Sequence, residues 1–150
     1  MDIFEHLEEL RELVRHQPNG LFVDLDGTLA PIATSPGVVR ITQGVRHTLE
    51  ALVCVSTVVV LTGRSVSDAR RIIGLDAVIY AGNHGLEWWN RGSTYISPEV
   101  LFHLENMHQF ALEATLALGA LDGVLVEDKG VTVAIHFRQS AVPDSTRQTI

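Results

Sequence analysis

Three short apolar runs recur in the first half of the chain, and each ends where chemistry-bearing residues begin. Leu21, Phe22, Val23 and Leu25 surround Asp24 and lead into Asp26, Gly27 and Thr28. The run 57–61 leads into Thr62-Gly63-Arg64-Ser65, and 77–81 leads into Gly82-Asn83-His84-Gly85. Apolar runs of this length, bounded by turn residues, predict strands, and the β-branched run 57–61 suits a parallel sheet covered on both faces. Between the first two runs, Thr42 can cap a helix that shows Val45, Leu49 and Leu52 on one face. Between the second and third, Val66, Ala69, Ile72 and Ile73 keep helical spacing up to Gly74, a C-terminal stop. Strand, helix, strand repeated in this way predicts βαβ units with right-handed crossovers. Ahead of them, Ile3, Phe4, Leu7, Leu10 and Val14 predict a helix over 2–16, capped by Asp2 and laid on the sheet, until Pro18-Asn19-Gly20 breaks it.

From Trp88 the pattern changes. Residues 88–95 read as a hairpin turning at Asn90 to Gly92, and Ser97-Pro98-Glu99 starts a helix that runs to Gly119, with Leu101, Leu104, Phe110, Ala114 and Leu118 available for packing. Residues 124–127 and 131–138 form two further strands joined through Asp128-Lys129-Gly130. The second alternates, with Val131, Val133, Ile135 and Phe137 on one face, as an antiparallel sheet open on its other side requires. The pattern therefore predicts a parallel α/β core over 1–87 and the first part of an α+β cap over 88–150, where Pro143-Asp144-Ser145-Thr146 begins another helix. His103 and His108 are five apart, which turns them away from each other on a helix and removes them as a metal pair.

Composition narrows the class. The chain of 150 residues is 46% hydrophobic and carries a formal charge of −7, from 18 acids against 11 Lys plus Arg. That balance argues against a nucleic-acid or anionic-membrane surface, although it leaves room for a phosphate held by a few local donors. Cys54 is alone, so there is neither a disulfide framework nor a thiolate metal site. No apolar stretch has the length of a membrane span, and a charged amphipathic start stands where a signal peptide would be, so a soluble cytoplasmic protein is expected.

The candidate chemistry sits at the three strand tips, where open α/β sheets bind ligands. Residues two apart on a strand point the same way, so Asp24 and Asp26 can face one site unless the chain turns between them. One carboxylate can attack phosphorus while a second moves a proton; the alternative is an acidic metal loop or a polar turn. Thr62, beside a helix N-terminus, can bond a phosphate oxygen. Arg64 either joins it there or ties loops together. Asn83 and His84 either meet sugar hydroxyls or satisfy the backbone of a tight turn.

Residues 24–32, DLDGTLAPI, resemble the first motif of the haloacid-dehalogenase-like phosphatases, and Ala30-Pro31-Ile32 resembles the trehalose-6-phosphate phosphatase branch. The resemblance implies a Rossmann-like parallel-sheet core with an inserted α+β cap. It implies Asp24 as the nucleophile that becomes an aspartyl-phosphate and Asp26 as the general acid/base. Mg²⁺ is implied between them, held by the Asp24 side chain, the Asp26 carbonyl and an acid from later in the pattern. Thr62, Gly63 and Arg64 match the phosphate-binding motif. GNHGLE is similar to a loop at the cap entrance, which implies substrate contacts for Asn83, His84 and Gly85. VEDKGVTVAIHFR resembles the first cap hairpin, which makes Glu127 and Lys129 candidates for glucose hydroxyls; without the resemblance they read as a charged hairpin turn.

The substrate so implied is trehalose 6-phosphate. The pattern's later lysine and paired acids have no match, and Lys129 belongs to the cap motif and does not replace that lysine. A chain that stops within the cap is therefore expected to be truncated or completed by another chain. Its first strand is expected to present an unpaired apolar edge prone to self-association. The alternatives are a non-catalytic phosphosugar-binding or interaction fragment, and a related sugar phosphatase acting on sucrose phosphate or a mannosyl phosphate.

Overall fold

The computed structural model describes residues 3–16, 18–33, 36–141 and 143–149. β1 (Gly20–Asp24), β2 (Thr57–Leu61) and β3 (Ile79–Gly82) pair in parallel, and β4 (Glu87–Asn90) and β5 (Ser93–Ile96) continue the same sheet antiparallel, in the order β1-β2-β3-β4-β5. Asp24 is in register with Leu61, and Leu61 with Ala81. Because adjacent strands lie about 4.8 Å apart, that register brings all three chemistry-bearing tips out at one end of the sheet within about 10 Å of one another.

The helices between these strands follow their sequence signals, α1 (Leu7–Arg15) preceding the sheet. α2 (Gln43–Leu52) is capped by Thr42, whose hydroxyl accepts from the Val45 N–H at 3.2 Å. α3 (Val66–Ile73) is capped by Ser65 and stopped by a left-handed Gly74, and it buries the four apolar residues its spacing singles out. They pack with Leu25, Leu49, Val58, Val60, Val78 and Tyr80 in one core.

Three expectations change. No residue of α1 is buried, and Leu13 is 66% exposed, so the helix is not laid on the sheet as its spacing suggests. Its expected cap, Asp2, lies outside the described residues, as do Thr34 and Ser35 of the loop after the first motif. The hairpin from Trp88 extends the core sheet instead of opening a separate one. Trp89 is buried edge-on against Tyr80, ring centroids 5.8 Å apart, and lies under the Arg70 guanidinium at 3.9 Å. That burial needs the core.

The helix expected over 98–119 is broken into α4 (Pro98–Leu101) and α5 (Leu104–Leu118). The inward face of α5 is Leu104, Met107, Ala111, Ala114 and Leu118, while Phe110 stands exposed. Small alanines at the centre of that face let α5 lie close to a separate hairpin, β6 (Leu125–Asp128) and β7 (Val133–His136), in which Glu127 opposes Ala134. α6 (Pro143–Thr149) follows. No helix among the described residues is long and apolar enough to cross a membrane.

Candidate active site

After Asp24 the chain turns sharply. Leu25 drops into the core, and its carbonyl accepts from the Leu29 and Ala30 N–H groups at 3.1 and 2.9 Å. Gly27, at φ +93°, adopts a conformation that other residues rarely do, and its N–H closes the loop onto the Ala30 carbonyl at 2.7 Å. The turn falls between the two acids. Asp24 ends β1 exposed. Asp26 faces the second tip, where Arg64 donates from Nε to Oδ2 at 2.7 Å and from Nη2 to Oδ1 at 2.8 Å.

Arg64 also donates from Nη1 to Asp68 Oδ2 at 2.6 Å. Its guanidinium therefore ties the first loop to the second and to α3. The hydrogen bond to Asp26 raises the Arg64 pKa above its ordinary value, against the opposing effect of burial and with further support from Asp68. Burial alone would raise Asp68, but the hydrogen bonds from Arg64 and Arg71 outweigh it and hold that carboxyl below its ordinary value.

Thr62 is buried. Its N–H donates to the Ala81 carbonyl at 3.0 Å, and its hydroxyl accepts from the Arg64 N–H at 3.1 Å, which leaves the hydroxyl proton to donate elsewhere. Gly63 is pressed against His84: a Cβ there would lie 2.8 Å from the imidazole. Asn83 and His84 are both left-handed, at φ 48° and 60°, held by N–H bonds to the Arg64 and Thr62 carbonyls at 2.7 and 3.0 Å. His84 remains exposed, and Gly85 follows at φ +91°. Asn83 is 0% exposed, and its amide bonds to protein groups on three sides, so it has no face turned to a ligand.

The β6–β7 hairpin closes over these tips. Lys129 Nζ donates to the Gly63 carbonyl at 2.9 Å, and the Glu127 carboxylate meets His136 Nε2 at 2.8 Å. Between hairpin and core lies a cavity of about 230 Å³. Asp26, Gly63, Arg64 and His84 form its core side, and Glu127, Lys129 and His136 its hairpin side. A second cavity of about 500 Å³ shares Asp26, Arg64 and His136 and adds an apolar wall from Ile32, Leu125, Ile135 and Phe137. Asp24 lines neither.

Two residues at this site carry no prediction from the sequence. His136 had a usable signal: strand alternation and the hairpin register put it diagonally across from Glu127 on one face. Glu87 had none. Its carboxylate accepts from the Val66 N–H, at the start of α3, at 2.6 Å.

Among the described residues, no group of three His, Cys, Asp or Glu side chains converges as a metal site. Of the three donors the resemblance implies, the later acid has no match, which leaves the Asp24 carboxylate and the Asp26 carbonyl; the Asp26 carboxylate is held by Arg64. Two such donors leave Mg²⁺ largely hydrated and do not complete a site.

The sequence profile of the family described as trehalose-phosphatase matches residues 22–149. This chain belongs to the trehalose-phosphatase family. It is 34% identical over 130 residues to the trehalose-phosphate phosphatase of Mycobacterium tuberculosis (strain ATCC 25618 / H37Rv), covering 86% of this chain and 33% of the relative. The trehalose-phosphate phosphatase of Mycobacterium ulcerans (strain Agy99) is 32% identical over 146 residues, 91% of this chain and 37% of the relative. The chain thus spans about a third of the length of these curated relatives.

Solved structures agree on the family's fold. A trehalose-6-phosphate phosphatase related protein superposes with a TM-score of 0.78 at 20% identity, over 87% of this chain and 58% of that one. The C-terminal domain of the C. albicans trehalose-6-phosphate phosphatase gives 0.67 at 19%, over 93% and 51%.

Proposed function

We propose that this chain carries the nucleophile and the acid/base of a trehalose-6-phosphate phosphatase, with α5 and the β6–β7 hairpin as the first part of its cap. The observation that carries the reading is the Asp26–Arg64 pair in a cleft roofed by Glu127, Lys129 and His136. In the first step an Asp24 oxygen bonds to phosphorus and the bond from phosphorus to the sugar oxygen breaks; Asp26, which takes a proton from solvent as it leaves Arg64 and returns it to solvent when the pair re-forms, gives that oxygen the proton. In the second, Asp26 takes a proton from water, the water oxygen bonds to phosphorus, and phosphate leaves as Asp24 is restored.

Arg64 sets the order of events. While both Asp26 oxygens are bonded to it, neither is free for a leaving group. An arriving phosphate dianion competes for the guanidinium and releases one of them. On this reading the Thr62 hydroxyl and the loop at 63–65 take phosphate oxygens, and Glu127, Lys129 and His136 take hydroxyls of the sugar. Mg²⁺ supplies charge relief in such chemistry and needs oxygen ligands beyond Asp24 and Asp26. A cytoplasmic location accords with the single cysteine.

The test is phosphate release by a polypeptide that continues this sequence to the length of its mycobacterial relatives. Trehalose 6-phosphate should be hydrolysed with Mg²⁺ and not without it, ahead of sucrose phosphate and a mannosyl phosphate. Preference for either of the latter would move the substrate, and release from none would overturn the reading.

A further inference from the structure

We infer that Asn83 is a positioning residue that couples the β6–β7 turn to the loop at 62–65, so that closing the cleft and ordering that loop are one event. Naming that loop the phosphate holder rests on the phosphatase reading; the coupling itself rests on hydrogen bonds. Thr132 Oγ1, just past the hairpin turn, donates to Asn83 Oδ1 at 2.7 Å. Asn83 Nδ2 donates to Glu87 Oε1 at 2.8 Å and toward the Lys129 carbonyl at 3.3 Å. The same Glu87 oxygen accepts from the Val66 N–H at 2.6 Å, where the loop becomes α3, and the Asn83 N–H itself donates to the Arg64 carbonyl at 2.7 Å. Hairpin, third strand tip and phosphate loop therefore meet on one side chain.

The chemistry fixes which way the amide points. Turned over, its oxygen would face the Glu87 carboxylate and the Lys129 carbonyl, both acceptors. Complete burial makes the arrangement cooperative, because a partner lost on one side leaves a buried polar group unsatisfied. The backbone beneath it has no slack. A Cβ on Gly82 would lie 2.6 Å from the Val66 nitrogen and 2.8 Å from the Arg64 carbonyl oxygen, so the third tip and the loop touch directly. Asn83 is also one of the few residue types other than glycine that tolerate its left-handed φ. A sugar contact needs none of these features.

The experiment is amide hydrogen exchange on the 150-residue chain, comparing the unmodified protein with Thr132→Val, which keeps the shape but removes the donor, and Thr132→Ser, which keeps the donor. Thr132→Val should speed exchange at the Arg64, Val66 and Asn83 amides about 5- to 150-fold, the equivalent of leaving one buried acceptor unsatisfied, and Thr132→Ser should restore slow exchange. Faster exchange confined to 128–133, or a serine variant that behaves like the valine one, overturns the coupling. Neither readout depends on turnover. Coupled exchange without phosphate release would sink only the phosphatase reading, and phosphate release without coupled exchange would sink only this one.

Discussion

Arg64 holds both carboxylate oxygens of Asp26, at 2.7 and 2.8 Å, across two loops 38 residues apart in the chain. Lysine cannot reproduce that fork or reach Asp68 as well. Arg64→Lys should therefore cost about 1–3 kcal/mol of stability, the range for lost hydrogen bonds to charged groups at a partly exposed site. Urea unfolding of both proteins measures it; an unchanged midpoint would show that the fork does not hold the loops.

Acid should act through Asp68. Its folded-state pKa lies below its unfolded one, so its contribution is present above the unfolded value and is lost as the pH falls through the folded value. Asp128, lowered by His108 and then by the Gly130 N–H, adds to the same limb. Asp68→Asn should be less stable than the unmodified protein at pH 6, and the gap should start to narrow as the pH falls below about 4, where an ordinary carboxylate titrates, and close once the lower folded-state value is passed. Parallel urea midpoints down to pH 2 would contradict this.

The roof of the cleft should discriminate between substrates. In a polypeptide extended to the length of its relatives, Glu127→Ala or Lys129→Ala should cost about 1.5–3 kcal/mol in kcat/KM for trehalose 6-phosphate. An aryl phosphate, which lacks the sugar hydroxyls, should lose far less. Equal losses on both would make these residues holders of the hairpin alone, a role Lys129 already has through the Gly63 carbonyl.

The strand tips are legible in the sequence because each is local: an apolar run sets the strand, and the next four residues bear its chemistry. The capped helices are legible for the same reason. What escapes is distant or decided by packing. Asn83 looks like a sugar ligand until Thr132, 49 residues away, is seen to take its oxygen. Trp88 and Trp89 read as a change of domain because alternation gives strand type and not sheet membership; the Tyr80 edge and the Arg70 guanidinium decide that. Phe110 is the larger apolar residue, yet Ala111 and Ala114 are the ones buried, because α5 turns their side of the helix inward.

Among the described residues β1 pairs with β2 alone, and this edge strand carries Phe22, 62% exposed, and a partly exposed Leu21. An edge of this kind is a template for a second strand. The 150-residue chain should therefore self-associate, and Phe22→Lys should shift it toward monomer. Light scattering over a dilution series checks both; a monomer at every concentration would contradict the prediction.

The central claim is that Asp24 is the nucleophile, and Asp24→Asn tests it most directly, since the amide is nearly isosteric and cannot attack phosphorus. Phosphate release from trehalose 6-phosphate and far-ultraviolet circular dichroism should be measured together, with Mg²⁺, in the polypeptide extended to the length of its relatives. The account predicts lost turnover with an unchanged spectrum; turnover retained in a folded Asp24→Asn protein would contradict it.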